Sequence, residues 1–285
     1  MPVIYIINYL QTTTAMAVKL ANLKIKAFIL GLMICPILAN AQEAENLFHK
    51  EYSKLSFVLQ PSILVKSNAH NYDGSTYPSV KFTNDFSYQF GVYYNFAQSG
   101  SFNFKTGVIA KEFIPKFDLN ISDDDIGIGE ESILTQFDPY NQFIISVPLK
   151  TECFLKVSKK LNVSLGAGLN FNFITGTNTP TVTTVSVSNS RGFSKEIFYS
   201  TSDSQNNFNV SYDLSIGANY KAGFALLDLS FFVNNSLGTN YLEGKYEIYN
   251  LTQSSDKSGS YVIKSNFYGI SLTISPKKGW LKSDW

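Results

Sequence analysis

Histidine and cysteine are nearly absent from this 285-residue chain, which has two of each. That scarcity removes whole classes of chemistry. Cys35 falls inside an apolar leader-like stretch, which leaves Cys153 alone in the remainder; an intramolecular disulfide and a thiolate metal cluster are both excluded. His49 precedes the first strand-like segment, and His70 falls in a polar stretch between two such segments. Neither is expected on a strand, so a Ser–His–acid hydrolase built on rigid strands and a two-His metal site are not expected. Charge is scarce too: 16% of residues carry it, and the net value is +1. No basic face for nucleic acid follows from such a balance. After Leu38 there is no apolar run long enough for a membrane helix.

The leader itself is well formed. Lys19, Lys24 and Lys26 precede the apolar run Ala27 to Leu38, which is too short to span a bilayer as a helix. Ala39-Asn40-Ala41 supplies small residues for a signal peptidase, so residues 1–41 are expected to be a signal peptide cleaved before Gln42. Met16 opens a better signal than Met1, and translation is expected to start there. A lipoprotein reading of Leu32-Met33-Ile34-Cys35 is disfavoured because Ile34 is too large for the position before a lipidated cysteine. Residues 42–54 then form a short N-terminal segment ahead of the strands.

What the chain does have is aromatic residues, 15% of the total, set in alternating patterns. In Asn209 to Lys221, Val210, Tyr212, Leu214, Ile216, Ala218 and Tyr220 alternate with Asn209, Ser211, Asp213, Ser215, Gly217 and Asn219. A strand turns successive side chains to opposite faces, so this segment has one apolar and one polar face. Seven further segments read the same way: Leu55 to Lys66, Phe86 to Phe96, Phe102 to Phe113, Gln142 to Val157, Val163 to Ile174, Phe224 to Asn234 and Val262 to Ser275.

The connectors sort by length. Ala97 to Ser101, Ser158 to Asn162 and Lys221 to Gly223 are short, as hairpin turns are. Four are long: Ser67 to Asp85, Pro115 to Asn141, Gly176 to Asn206 and Leu237 to Tyr261, all polar with hardly an apolar run. Strict sorting of this kind points to an all-β, eight-stranded antiparallel transmembrane β-barrel of the outer membrane over residues 55–275. Short turns and both termini are then expected in the periplasm, and long loops outside. Residues 276–285 form a tail, expected to fold back at the periplasmic rim, with Trp280 and Trp285 beyond the last strand.

With the apolar face on lipid, the other face fills a narrow lumen. Charged lining is expected from Lys66, Lys105, Lys111, Lys150, Glu152, Lys156, Asp213 and Asp228. These charges are expected to pair into a plug, because unpaired charges in a tight interior are costly. A gated ion path or a buried acid used for chemistry is the sharper alternative. Inward glycines, Gly168 among them, are expected to make room for the long lysines. The loop carrying Asp123, Asp124, Asp125, Glu130 and Glu131 could hold calcium, but it lacks the alternate spacing of an EF-hand. A solvated acidic loop tip is the plainer expectation. Tyr93, Tyr140, Tyr199 and Tyr220 are expected as interfacial girdle residues.

Three stretches carry a family resemblance: Ala39-Asn40-Ala41-Gln42, Ile144-Ile145-Ser146-Val147-Pro148-Leu149-Lys150, and Leu165-Gly166-Ala167-Gly168-Leu169. By these the chain resembles the outer-membrane β-barrel family of Bacteroidota that includes the PorT-like proteins. The resemblance implies an integral outer-membrane protein with no catalytic residues to carry over, and its PorT branch implies a part in protein secretion. Lipid is the expected partner of the barrel, with protein partners at the long loops or periplasmic turns. No cofactor or catalysis is expected, and a monomer is. A structural or binding barrel acting through its four long loops, a secretion or envelope-assembly component, and a narrow solute pore are the functional alternatives.

Overall fold

The computed structural model describes residues 51–127, 133–135, 142–175, 181–188, 194–203, 207–238 and 241–279. The expected leader, Met16, Cys35, His49, Glu130, Glu131, Tyr140, Trp280 and Trp285 lie outside the described residues. In chain order the strands are β1 (Leu55–Leu64), β2 (Asn68–Asn71), β3 (Ser79–Phe82), β4 (Asp85–Ser99), β5 (Phe102–Phe113) and β6 (Phe117–Asn120). A short helix, α1 (Asp123–Ile126), precedes β7 (Ile133–Thr135), β8 (Gln142–Lys156), β9 (Leu161–Thr175), β10 (Thr181–Ser188) and β11 (Ser194–Asp203). The chain continues through β12 (Phe208–Lys221), β13 (Ala225–Ser236), β14 (Leu242–Ile248), β15 (Lys257–Ile263) and β16 (Phe267–Pro276).

Strands β1, β4, β5, β8, β9, β12, β13 and β16 form a closed antiparallel barrel, with β16 returning to pair with β1. Each of the eight alternating segments therefore contributes one barrel strand. Their alternation sets the two faces. Phe57, Phe90, Val108, Leu149, Ile216, Leu229 and Ile270 stand exposed on the outer wall, while Gln60, Gln89, Asn103, Ser146, Asn172 and Ser211 are buried inside. A water-soluble barrel would reverse this assignment. An apolar wall around a polar interior matches hydrocarbon outside, and closure leaves no strand edge unpaired in the lipid.

The long connectors differ from expectation. Instead of plain polar loops they form an ordered β cap: a six-stranded sheet in the order β2-β15-β14-β11-β10-β7, and a two-stranded sheet of β3 and β6. The last segment, expected to run from Val262, is in fact two strands. Between them Asn266 accepts from the Val65 amide at 2.9 Å, and its side-chain oxygen accepts from the Ser236 amide, also at 2.9 Å. That residue hands the chain from cap to barrel.

The main apolar core of the molecule lies in this cap. Val185, Val187, Ile197, Phe198, Ile248 and Ile263 from the cap pack with Leu64, Phe113, Ile144, Phe232 and Phe267 from the upper rim of the barrel. Val80 and Phe82 of β3 complete the same cluster. The inward row of the barrel thus changes from polar to apolar at its cap end. At the opposite, turn end a smaller cluster of Tyr52, Phe154 and Leu226 closes the barrel. Tyr52 is held there by bridging to Lys277, and the Lys278 amide donates to the Glu51 carbonyl at 2.9 Å. The segment ahead of β1 and the start of the tail are thereby tied together at the turn end.

Candidate functional site

Between these two apolar stoppers the lumen is filled by polar side chains. Among the described residues it buries three lysines, Lys105, Lys111 and Lys150, and three carboxylates, Glu152, Asp213 and Asp228. Lys105 forms a buried ion pair with Glu152. Lys150 Nζ lies 2.6 Å from Asp213 Oδ1. The two lysines are direct cross-strand partners on β5 and β8, an arrangement that repels unless opposite charge is supplied. It is supplied by the two carboxylates and by the Tyr93 ring, whose centroid lies 4.3 Å from Lys105 Nζ and 5.7 Å from Lys150 Nζ. The negative ring face attracts cations most strongly when water is excluded.

Sequence position explains the reach of Lys150. Lys150, Gly168 and Asp213 stand in one row across β8, β9 and β12. A Cβ on Gly168 would lie 2.6 Å from Lys150 Cγ and 2.5 Å from the Leu149 carbonyl oxygen. Only glycine leaves the passage through which Lys150 crosses β9 to meet its carboxylate.

The remaining expected lining residues divide. Lys111 is buried higher in the lumen, where its Nζ donates to Asn172 Oδ1 at 3.2 Å and lies 5.8 Å from the Phe267 ring centroid. Asp228 accepts from Ser164 Oγ at 3.2 Å. Lys66 and Lys156 are corrections: both are exposed. Lys66 follows the end of β1, and Lys156 is the last residue of β8 at a turn, so neither reaches the interior. Tyr93 corrects the girdle expectation, because it is fully buried inside the lumen. Its neighbours Val92 and Tyr94 face out, so its place in the alternation already carried the signal. Tyr199 lies on β11 of the cap, away from the barrel wall, whereas Tyr220 is exposed near the turn end of β12.

The acidic loop is also different from a solvated tip. Asp124 is exposed, but Asp125 is buried at the end of α1. Its carboxylate accepts from Tyr77 Oη at 2.5 Å, from the Ser254 amide at 2.7 Å, from Ser254 Oγ at 2.8 Å and from the Gln253 amide at 3.1 Å. These donors, the Tyr77 hydroxyl foremost, hold its carboxyl down at about 2. Lys195 Nζ adds a bond to the Ile126 carbonyl at 3.0 Å. All four long connectors therefore meet at Asp125 and Ile126. Its oxygens serve as a knot for the cap, and no cluster of three or more metal-ligating side chains occurs among the described residues.

His70 likewise departs from expectation, since it stands on β2. Its Nε2 lies 3.2 Å from Ser260 Oγ on the neighbouring strand β15. Among the described residues no carboxylate ion-pairs with this imidazole.

No family model matches the chain, and no curated protein does either. Its fold is similar to that of Neisserial surface protein A (NspA), at 12% identity and a TM-score of 0.29 over 76% of this chain and 96% of that one. The outer membrane protease OmpT from Escherichia coli is similar at 9% identity and a TM-score of 0.33, over 79% of this chain and 98% of that one. Ail, the attachment invasion locus protein of Yersinia pestis, is similar at 10% identity and a TM-score of 0.24, over 77% of this chain and 97% of that one. At these values the likeness reaches no residue and no activity.

Proposed function

We propose that this chain is an integral outer-membrane protein whose barrel anchors a folded β-sheet cap on the cell surface, and that it acts by binding through this cap without catalysis. One observation carries the reading: the two halves of the molecule are inverted in polarity. The barrel is apolar outside, as lipid demands, and the cap buries its apolar side chains and presents polar ones, as water demands. Lys245, Glu247 and His70 stand exposed on the cap sheet, a surface suited to directional polar contacts. The short turns and both termini then face the periplasm. Transport fits poorly, because the lumen is occupied by paired charges and closed by apolar clusters at both ends.

Single-cysteine labelling on intact cells tests the arrangement, since the native Cys153 is buried. A membrane-impermeant maleimide is expected to react with Val182→Cys in the cap, and with Gly223→Cys at a turn only after permeabilisation. The reverse pattern, or steady single-channel conductance of the purified protein in planar bilayers, would overturn the proposal. Crosslinking from the cap and from the turns identifies partners; a secretion component caught only at the turns would instead favour a PorT-like role.

A further inference from the structure

Two carboxylates and one lysine meet near the turn end of the lumen, around a small cavity lined by Ser56, Asn95, Lys105, Glu152, Asn219 and Asp228 with Leu226 below. Glu152 is taken by Lys105. Asp228 has Ser164 Oγ at 3.2 Å. Directly across from it, as its cross-strand partner, stands Asn219. Asn219 is 2% exposed, and its side-chain Nδ2 has no hydrogen-bond partner in the protein. A buried amide donor left unpaired is costly, and a native interior ordinarily satisfies it. Such partners on adjacent strands can bond directly, yet Asn219 Nδ2 makes no bond to Asp228, and both side chains line the same small cavity.

We infer that this cavity is a binding site for a single structural water, which accepts a hydrogen bond from Asn219 Nδ2 and donates one to the Asp228 carboxylate. Size and chemistry agree. The space holds about one water, and such a site needs two to four polar partners. Asn219 supplies a donor, Asp228 an acceptor, and the hydroxyls of Ser56 and Ser275 line the same space. A metal cation is a poorer occupant, because Lys105 shares the cavity and the unpaired amide atom is a donor. Leu226 of the turn-end apolar cluster with Tyr52 and Phe154 lines one side of the site. The lumen is then a sealed hydrogen-bonded plug in which the water is one fixed member.

The test is crystallographic, on the full chain in detergent at a resolution that shows ordered water. One density peak is expected within hydrogen-bond distance of both Asn219 Nδ2 and an Asp228 oxygen. Asn219→Leu, of similar volume without the donor, is expected to lose the peak while keeping heat-modifiable migration. A direct Asn219–Asp228 bond with no peak in the unaltered chain overturns the inference, whatever the variant does. So does an anomalous signal at the site in crystals grown with rubidium chloride, which would make it a cation site, or a peak unchanged in Asn219→Leu.

Discussion

Barrel and cap use the same period-two alternation for opposite ends. In β12 the apolar residues Leu214 and Ile216 face outward, while Ser211 and Asp213 are buried. In β10 the sense is reversed, with Val185 and Val187 buried in the core. Both are antiparallel strands in which hydroxyl residues alternate with apolar ones. Only the surrounding medium differs. Where lipid is the solvent, apolar side chains gain nothing from being inside, and the interior must satisfy its polar groups by pairing. Where water is the solvent, burial of apolar area drives the same kind of strand to close on itself.

The ion pairs offer the sharpest way to break this comparison. Asp213→Leu is expected to strand Lys150 in the lumen and cost about 3–5 kcal/mol, whereas joining it with Lys150→Met restores most of the loss. Urea unfolding in detergent, arranged as a double-mutant cycle, reads the coupling. Next comes the cap: Ile248→Ala opens a cavity in a fully buried site and is expected to cost about 2–5 kcal/mol. Limited proteolysis should show the cap cut while the barrel keeps its heat-modifiable shift. Loss of both together would mean that cap and barrel fold as one unit.

A matched pair then isolates the solvent. Ile216 and Val182 are 56% and 55% exposed, one on the barrel wall and one on the cap. Ile216→Lys is expected to destabilise by about 2–4 kcal/mol, as a cation on a lipid face does. Val182→Lys should stay within about 0.5 kcal/mol of the parent. Equal effects would show that the two surfaces meet the same medium. The smallest effect is acid-dependent. Because Asp125 is held at about 2, below its unfolded value near 4, the knot contributes its full stability above pH ~4 and loses it as pH falls through about 2. Cap-specific proteolysis should rise across that window in the parent. Asp125→Asn should start looser and show less of the change.

Much of this was readable beforehand because barrel strands are long. Ten or more alternating residues, as in Phe102–Phe113, leave no ambiguity of face. Some cap strands are short, and Asn68–Asn71 or Ser79–Phe82 gives too few residues to show a period. Others are long enough: β10, TVTTVSVS, alternates cleanly, but its serine and threonine content reads as loop when strands are sought by apolar runs. Residue type points Tyr93 to the membrane interface, whereas its parity between exposed Val92 and Tyr94 sets it inside. Asp125 and Asp124 look alike in sequence, since their difference lies in donors from Tyr77, 48 residues before, and from Gln253 and Ser254, 128 and 129 residues after.

The sequence by itself determined the eight strands, their two faces and the sorting of short from long connectors, because each is a local property of period two. It also determined that lysines and carboxylates would share the interior. Tertiary structure alone decided which of them pair, that Gly168 opens the path between Lys150 and Asp213, and that four connectors knot at Asp125 and Ile126. Those choices depend on register between strands far apart in the chain, and register is fixed only when the barrel closes and the cap packs onto its rim.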